Sequence, residues 1–293
     1  MNPSTVLQLI NEINRINLRT IDINHLKQKI VQLFRGYAHT RMNIIPGEAI
    51  FYRSIPYSHK PQTTDRLSYP NPKKVKVSLR RANLEDQPVF YCSKDPRPTF
   101  FELELSPGDT VVLSEWHLTS DIWVSNIGYT SEVFTRLGSD RYCPNLTPSD
   151  QRHPREASRS NIRIEEFLKE KFTEHVAPGN EHLYKLTAVI AGNLLTPDPE
   201  NIFKLGLMYP SLAMHGNADN YALNPDLADK HLQIKRAWWL KVDEANPTEN
   251  FYTYSLLEYA DSFSGDQINW RSFSSQEQEA LGQHFNATPV ALD

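Results

Sequence analysis

The stretch Pro88-Val-Phe-Tyr-Cys-Ser93, continued by Lys94-Asp95-Pro96, decides the fold of this chain. Its first six residues form an apolar run between a proline and a charged turn, which is typical of a buried strand. Asp95 followed by Pro96 is a helix-start signal, because Asp caps the first turn and Pro fits its first positions. The stretch therefore predicts a strand and then a short helix over residues 96–104.

Strand and helix patterns alternate on both sides of this stretch. Apolar runs predict further strands over residues 49–53, 109–116, 206–211 and 234–242. Helical spacing of apolar residues predicts helices over 164–175, 182–195 and 224–232. Such alternation indicates an α+β or α/β fold, and we expect an α+β fold with a mixed sheet core and flanking helices.

The remaining segments suggest three regions. Residues 4–15 and 24–37 have the periodicity of two amphipathic helices, so residues 1–45 are predicted to be an N-terminal helical extension. Residues 46–245 would form the main domain, with a long loop over 54–76 and a loop or lid over 138–160. Residues 246–293 are expected to be a C-terminal extension packed on that domain.

Composition narrows the functional classes. The chain has 293 residues and a net charge of −4, so it lacks the basic excess of nucleic-acid-binding proteins. No segment approaches the roughly 20 apolar residues of a membrane span, and no leader-like segment is visible. Two cysteines do not form a disulfide framework, and Cys92, inside an apolar run, is expected to be a buried free thiol. We expect a cytoplasmic protein.

Common catalytic motifs are missing from the sequence. There is no Gly-rich phosphate loop, no Gly-x-Ser-x-Gly elbow, and neither a His-Glu-x-x-His nor a Cys-x-x-Cys pair. Hydride transfer, P-loop hydrolysis and zinc hydrolysis therefore have no support from motifs, and no metal is expected. What remains is a set of polar residues beside apolar runs: Arg53, Arg81, Tyr91, Glu102, Ser211 and Asn220. Each of them taken alone is as well explained by a structural role.

The order of these residues resembles the RES-domain family, which is named for its Arg, Glu and Ser. The matching pieces are Phe51-Tyr-Arg53, Arg81-Ala-Asn83, Pro88-Val-Phe-Tyr-Cys-Ser93, Phe101-Glu102, Met208-Tyr-Pro-Ser211, and Gly216 through Asn220-Tyr-Ala-Leu-Asn-Pro225. The resemblance covers roughly residues 49–242. It implies a fold similar to ADP-ribosyltransferases and an activity on NAD as substrate, with no other cofactor. It also implies an Xre-type antitoxin as a partner, as many such proteins are growth-inhibiting toxins.

The implied reaction breaks the bond between nicotinamide and ribose, with water, phosphate or a protein side chain as acceptor. Positive charge builds on the ribose as this bond breaks, and a carboxylate stabilises it; Glu102 is the candidate. Arg53 and Arg81 are the candidates for the two phosphates, because the guanidinium fork matches them. The aromatic candidates for the flat cationic nicotinamide are Tyr91 and, behind it, Tyr52. Ser211 and Asn220 would orient the amide or ribose by hydrogen bonds.

Two alternatives remain open. Classical ADP-ribosyltransferases use a Glu-x-Glu pair on one strand, and Glu102-Leu-Glu104 has that spacing; the chain would then modify a protein. Because the segment is predicted to be a helix, its two carboxylates would diverge, so we assign the role to Glu102 alone. The second alternative is a catalytically silent module that binds NAD or a partner. The helical extension would mediate a homodimer, shield the pocket or complete the core.

Overall fold

The fold is given by a computed structural model, which describes residues 1–37, 41–129, 131–138, 155–195, 205–246 and 251–273. The chain divides into two compact units, each discontinuous in sequence. The first comprises residues 1–45, 69–91 and 120–231, and the second comprises 46–68, 92–119 and 232–293. The helical extension therefore belongs to the first unit and the C-terminal region to the second.

Helices and strands alternate along the described chain. The helices are α1 (Pro3–Asn14), α2 (Ile23–Leu33), α3 (Pro96–Phe101), α4 (Ser131–Leu137), α5 (Arg155–Phe172), α6 (Tyr184–Leu195) and α7 (Pro225–His231). The strands are β1 (Arg41–Ile44), β2 (Ile50–Pro56), β3 (Phe90–Cys92), β4 (Thr110–Leu118), β5 (Ile122–Asn126), β6 (Leu205–Pro210), β7 (Asp219–Leu223), β8 (Leu232–Asn246), β9 (Phe251–Ala260), β10 (Phe263–Ser264) and β11 (Gln267–Ile268).

The first unit is built on a five-stranded sheet of order β1-β5-β6-β7-β3. It is mixed, because β5 pairs with β6 in parallel whereas β1–β5 and β6–β7 are antiparallel. Apolar residues of α1, α2, α5 and α6 pack into one core that includes Leu207 and Tyr209 of β6. The two N-terminal helices are part of this core, since Val6, Leu26 and Ile30 are fully buried. The extension thus completes the core of its unit.

The second unit is built on an antiparallel sheet of order β2-β4-β8-β9. Tyr52, Leu113 and Trp238, from three neighbouring strands, pack together with Phe100 of α3 in its core. Helix α3 begins where the sequence predicts, because Asp95 accepts a hydrogen bond from the Arg97 backbone N–H at its N-cap. β10 and β11 form a separate two-stranded hairpin.

The predicted α+β class with flanking helices is confirmed, as is the buried free thiol of Cys92. Several predicted boundaries are wrong. Helix α2 ends at Leu33 rather than at residue 37, because Gly36 adopts a positive φ of 75°. Helix α5 begins at Arg155, inside the segment predicted as a loop, whose residues 139–154 lie outside the described chain together with Cys143. The tail after Asp243 contains the long strand β9.

No helix among the described residues is both long enough and apolar enough to cross a membrane. No group of three or more His, Cys, Asp or Glu side chains in the same part of the chain has a metal-binding arrangement.

Candidate functional site

Arg53 lies in the middle of β2, the first strand of the second unit's sheet. It is half-buried, and its Nε donates to the backbone carbonyl of Ser68 at 3.3 Å. Its own carbonyl accepts from Ser114 Oγ on β4 at 3.0 Å. Burial raises the pKa of the Cys92 thiol, and the Arg53 charge partly opposes that effect. The Arg53 guanidinium is therefore held in place by hydrogen bonding, and its positive charge acts on the neighbouring Cys92 thiol.

Tyr52 precedes Arg53 and points to the opposite face of the sheet, because side chains alternate along a strand. Its ring packs in the core with Leu113 and Phe100, and only 8% of it is exposed. Burial raises the pKa of the Tyr52 hydroxyl, and the charge of Glu115, its register partner on β4, raises it further. The structure therefore does not place Tyr52 on the same face as Arg53.

Glu102 is the C-cap residue of α3 and is exposed. Its backbone N–H donates to the Pro98 carbonyl at 3.0 Å, which closes the last turn of the helix. Glu104 is also exposed and adopts a positive φ of 50°. The helix predicted over residues 96–104 therefore ends early, at Phe101, and both carboxylates follow it. As expected, they do not form a pair on one strand.

Helix α3 is joined to β2 by a partly buried chain of hydrogen bonds. Ser54 Oγ and Thr99 Oγ1 are 2.6 Å apart, and Thr99 Oγ1 donates to the Pro96 carbonyl at 2.5 Å. Because the Thr99 hydroxyl has one proton, Ser54 is the donor to Thr99. Ser54 is the residue after Arg53, so this contact fixes the helix that bears Glu102 to the strand that bears Arg53.

Arg81, in the first unit, lies against the C-terminal end of α5. Its Nη1 donates to the carbonyls of Lys171 and Phe172 at 3.4 and 3.0 Å, and its Nη2 donates to that of Glu174 at 3.0 Å. The guanidinium carbon is 5.2 Å from the centre of the Tyr184 ring, which is a cation–π contact. Arg81 therefore caps a helix whose last carbonyls have no intrahelical donor.

Tyr91 is tied to the same loop. Its hydroxyl donates to Asn83 Oδ1 and accepts from the Ala82 backbone N–H, both at 2.9 Å. The ring packs against the helical core of the first unit. Asn83 Nδ2 in turn donates to the carbonyls of Ser78 and Leu84 at 2.9 Å. Arg81, Asn83 and Tyr91 are thus brought together, and the contacts that join them hold the loop in place.

Ser211 follows β6 directly and is fully buried. Its backbone N–H donates to the Ala218 carbonyl, and its carbonyl accepts from the Gly216 N–H, both at 2.8 Å. His215 and Gly216 adopt positive φ values of 49° and 79°. This tight turn leads straight into β7, so the prediction that Asn220 lies in a loop is wrong: Asn220 is in the strand, opposite Tyr209.

One edge of the first unit's sheet collects polar residues that the sequence did not single out. Asn126 ends β5, which runs parallel to β6 and pairs with it opposite Met208. The carboxyl ends of parallel strands meet at one edge, where ligands commonly bind in α/β sheets. Asn126 Oδ1 is buried and accepts no hydrogen bond from the described residues. At the same edge, Tyr129 donates to Asp219 Oδ1 at 2.8 Å. In the sequence, the only indication of this polar edge is that Asn126 follows the short apolar run Ile122-Trp-Val.

The second unit also contains a buried carboxylate that the sequence did not reveal. Glu115 has 4% of its side chain exposed and accepts from His117 at 2.7 Å. Arg236, its register partner on β8, has Nη1 3.7 Å from the same carboxylate. The buried carboxylate thus has a hydrogen-bond donor on one side and the Arg236 guanidinium on the other, as a stable interior carboxylate requires. Glu115 and Arg236 are far apart in the sequence, and the pairing of β4 with β8 brings them together.

The predicted site residues thus fall into local groups. Arg53 and Glu102 lie on packed elements of the second unit. In the first unit, Tyr91 of β3 is bonded to the loop that carries Arg81, and Ser211 and Asn220 lie in one turn and the strand after it. A comparison with models of known protein families finds no match, and a search of curated proteins finds no similar chain.

Proposed function

We propose that this chain is a NAD-consuming enzyme of the RES type, which breaks the nicotinamide–ribose bond with water or phosphate as acceptor. Its ordered set of Arg, Glu and Ser pieces supports the proposal. The main structural support is the attachment of α3 to β2 through Ser54 and Thr99, which mounts Glu102 and Arg53 on one rigid pair of elements. Catalytic groups need such preorganised positions.

The chemistry balances without a metal or another cofactor. The electron pair of the glycosidic bond goes to the nicotinamide ring nitrogen and neutralises its positive charge. The ribose carbon becomes electron-poor, and the Glu102 carboxylate stabilises it until water attacks. The new bond joins the water oxygen to that carbon, and the water loses one proton to solvent. With phosphate as acceptor, a phosphate oxygen forms the new bond instead.

The other side chains would bind and orient the dinucleotide. Arg53 offers a guanidinium to the phosphates, and its anchoring to Ser68 limits the side-chain entropy lost on binding. Hydrogen bonds from Ser211 and Asn220 are proposed from the resemblance, as are contacts from Arg81 and Tyr91. An activity of this kind depletes NAD and would inhibit growth, so an Xre-type antitoxin is the proposed partner.

The experiment measures nicotinamide released from NAD by the purified chain, with and without inorganic phosphate. Glu102→Gln is expected to lower kcat at least about a hundredfold, in line with removal of one electrostatic stabiliser of a transition state. Glu104→Gln is the matched control, because Glu104 is also exposed and lies two residues away. Wild-type protein that releases no nicotinamide, or equal losses in the two variants, would contradict the proposal.

Transfer to a protein acceptor is less well supported. The residues up to Phe101 are helical and Glu104 has a positive φ, so Glu102 and Glu104 do not point from one face of a strand. Incubating labelled NAD with cell extract and the enzyme tests this alternative, because a labelled protein band that depends on Glu102 would favour it over hydrolysis.

A further inference from the structure

Asn126 carries a polar atom that has no partner in the described part of the chain. Its side chain is partly buried and its Oδ1 is shielded from solvent, yet no described group donates a hydrogen bond to that oxygen. A buried acceptor without a donor costs free energy, because the hydrogen bond that it makes to water in the unfolded chain is lost. Such exceptions are rare in folded proteins and call for a specific reason, of which a functional role is one.

Strand pairing sets the direction in which this side chain points. Asn126 lies opposite Met208 of β6, which in turn lies opposite Tyr221 of β7. Leu207 and Ala222, the neighbours of these two residues along their strands, pack into the helical core of the first unit. Because side chains alternate along a strand, Asn126 points to the other face of the sheet, away from that core.

Asn126 also lies at the edge of the sheet where a ligand is expected. It is the last residue of β5, which runs parallel to β6, and ligands commonly bind at the carboxyl ends of such strands. Ser211, to which the proposed function gives a hydrogen bond to the substrate, follows β6 at the same edge. The unpaired acceptor and Ser211 thus belong to one edge of one sheet.

The backbone after Asn126 is held in place. Gly128 adopts a positive φ of 84°, and a Cβ at that position would lie 3.3 Å from both Pro210 Cδ and Thr173 Cγ2. The Tyr129 hydroxyl then donates to Asp219 Oδ1 at 2.8 Å. The last torsion of an Asn side chain is soft, so rotation about it turns the Asn126 amide without moving this backbone.

The acceptor determines the chemistry of its partner, which must be an N–H or O–H donor. An Asn side chain carries a donor beside its acceptor, so it pairs best with a planar group that presents the same two functions in reverse. NAD has two such groups, the carboxamide of nicotinamide and the amino edge of adenine, and Asn is a common partner of the latter.

We propose that Asn126 is a substrate-binding residue that accepts a hydrogen bond from the amino group of one of these two ring systems. Pairing removes the cost of the unsatisfied oxygen, so a dinucleotide that lacks this amino group is bound less tightly. The inference rests on the proposed function, since it adds a contact to the same substrate.

Calorimetric titration of the full chain tests the inference, in the Glu102→Gln background so that turnover is slow. The probes are NAD, its analogue with an acetyl group in place of the carboxamide, and its analogue with hypoxanthine in place of adenine. Each analogue lacks one of the two amino groups. NAD is expected to bind about tenfold or more tightly than one of them, because a site built to hydrogen-bond a substrate N–H rejects the analogue without it. The analogue that is rejected identifies the ring that Asn126 contacts.

Variants of Asn126 assign this preference to its acceptor oxygen. Asn126→Leu is similar in size and has no acceptor, so it should weaken NAD binding about tenfold and abolish the preference. Asn126→Asp retains an acceptor oxygen and should retain the preference. In urea denaturation, Asn126→Leu should be at least as stable as the parent chain, because an unsatisfied polar atom is removed.

Ser125→Ala is the matched control. Ser125 is the adjacent residue, is buried and has an Oγ without a partner, but it pairs with Leu207 and so faces the helical core. This variant should leave the affinities for all three dinucleotides unchanged. Equal binding of the three, or a preference that survives Asn126→Leu, would overturn the inference and leave the proposed function standing. Failure to bind any of them would overturn both.

Discussion

The hydroxyl oxygens of Ser54 and Thr99 are 2.6 Å apart, and this contact joins strand β2 to helix α3. Ser54 is buried, with 8% of its surface exposed, so its donor depends on Thr99. Arg53 precedes the first residue of the pair, and Glu102 lies three residues beyond the second. The contact between Ser54 and Thr99 therefore fixes the elements that carry Arg53 and Glu102, the two charged residues on which the proposed reaction depends.

Thr99→Val should destabilise the protein by about 1–2 kcal/mol, because valine is similar in shape and leaves the Ser54 hydroxyl without its acceptor. Urea denaturation measures this loss, with Thr20→Val at an exposed position as control. We also expect kcat for nicotinamide release to fall, because α3 is less firmly held. A stability equal to wild type would show that the contact does not fix the helix.

Arg53→Lys is expected to raise KM for NAD about tenfold with a smaller change in kcat, because lysine cannot form two parallel bonds to a phosphate. Initial rates over a range of NAD concentrations provide the measurement. Arg66→Lys, at an exposed position of the same unit, should leave both constants unchanged. If Arg53→Lys behaves like that control, Arg53 does not contact the substrate phosphates.

Arg81→Gln should lower the free energy of unfolding by about 2 kcal/mol, since charged hydrogen bonds to the end of α5 are lost. Arg80→Gln is the comparison, because the two arginines are adjacent and only Arg81 is bound to that helix. Hydrogen exchange should show faster exchange confined to the first unit. Equal stability of the two variants would rule out the capping role.

Tyr91→Phe separates a structural role from a stacking role. The substitution removes the bonds to Asn83 and Ala82 and keeps the aromatic ring, so stability should fall by about 1–2 kcal/mol while KM for NAD stays constant. Tyr91→Leu removes the ring as well, and a rise in KM for that variant alone would support stacking on nicotinamide. Chemical denaturation and initial rates, measured in parallel, distinguish the two.

The raised pKa of Tyr69 predicts a loss of stability at alkaline pH. Burial and the hydrogen bond to Asp229 together raise the pKa of Tyr69 to about 12. An unfolded tyrosine has a pKa of about 10, so the contribution of Tyr69 is complete below that pH and is lost as pH rises from about 10 to 12. Ultraviolet absorbance of the phenolate measures the titration. Tyr69→Phe should remove this part of the pH dependence.

The local elements follow from the sequence by itself. Asp95-Pro96 specifies the start of α3, apolar periodicity identifies α1, α2 and α6, and apolar runs identify β2, β4 and β6, because these signals act between residues close along the chain. The sequence does not predict strand β7, since a turn that depends on positive φ at His215 and Gly216 has the residue pattern of an ordinary loop.

Tertiary structure alone decided which residues far apart in the chain contact each other. Arg81 has the same sequence signature whether it binds a phosphate or caps α5, and 91 residues separate it from the Phe172 carbonyl that it contacts. Likewise, the burial of Tyr52 depends on the face of the sheet to which it points, and the surroundings of Asn126 depend on the sheet edge at which it lies. Local propensity is an interaction over a few residues, whereas hydrogen-bond partners, burial and charge balance are set by packing between elements far apart in the chain.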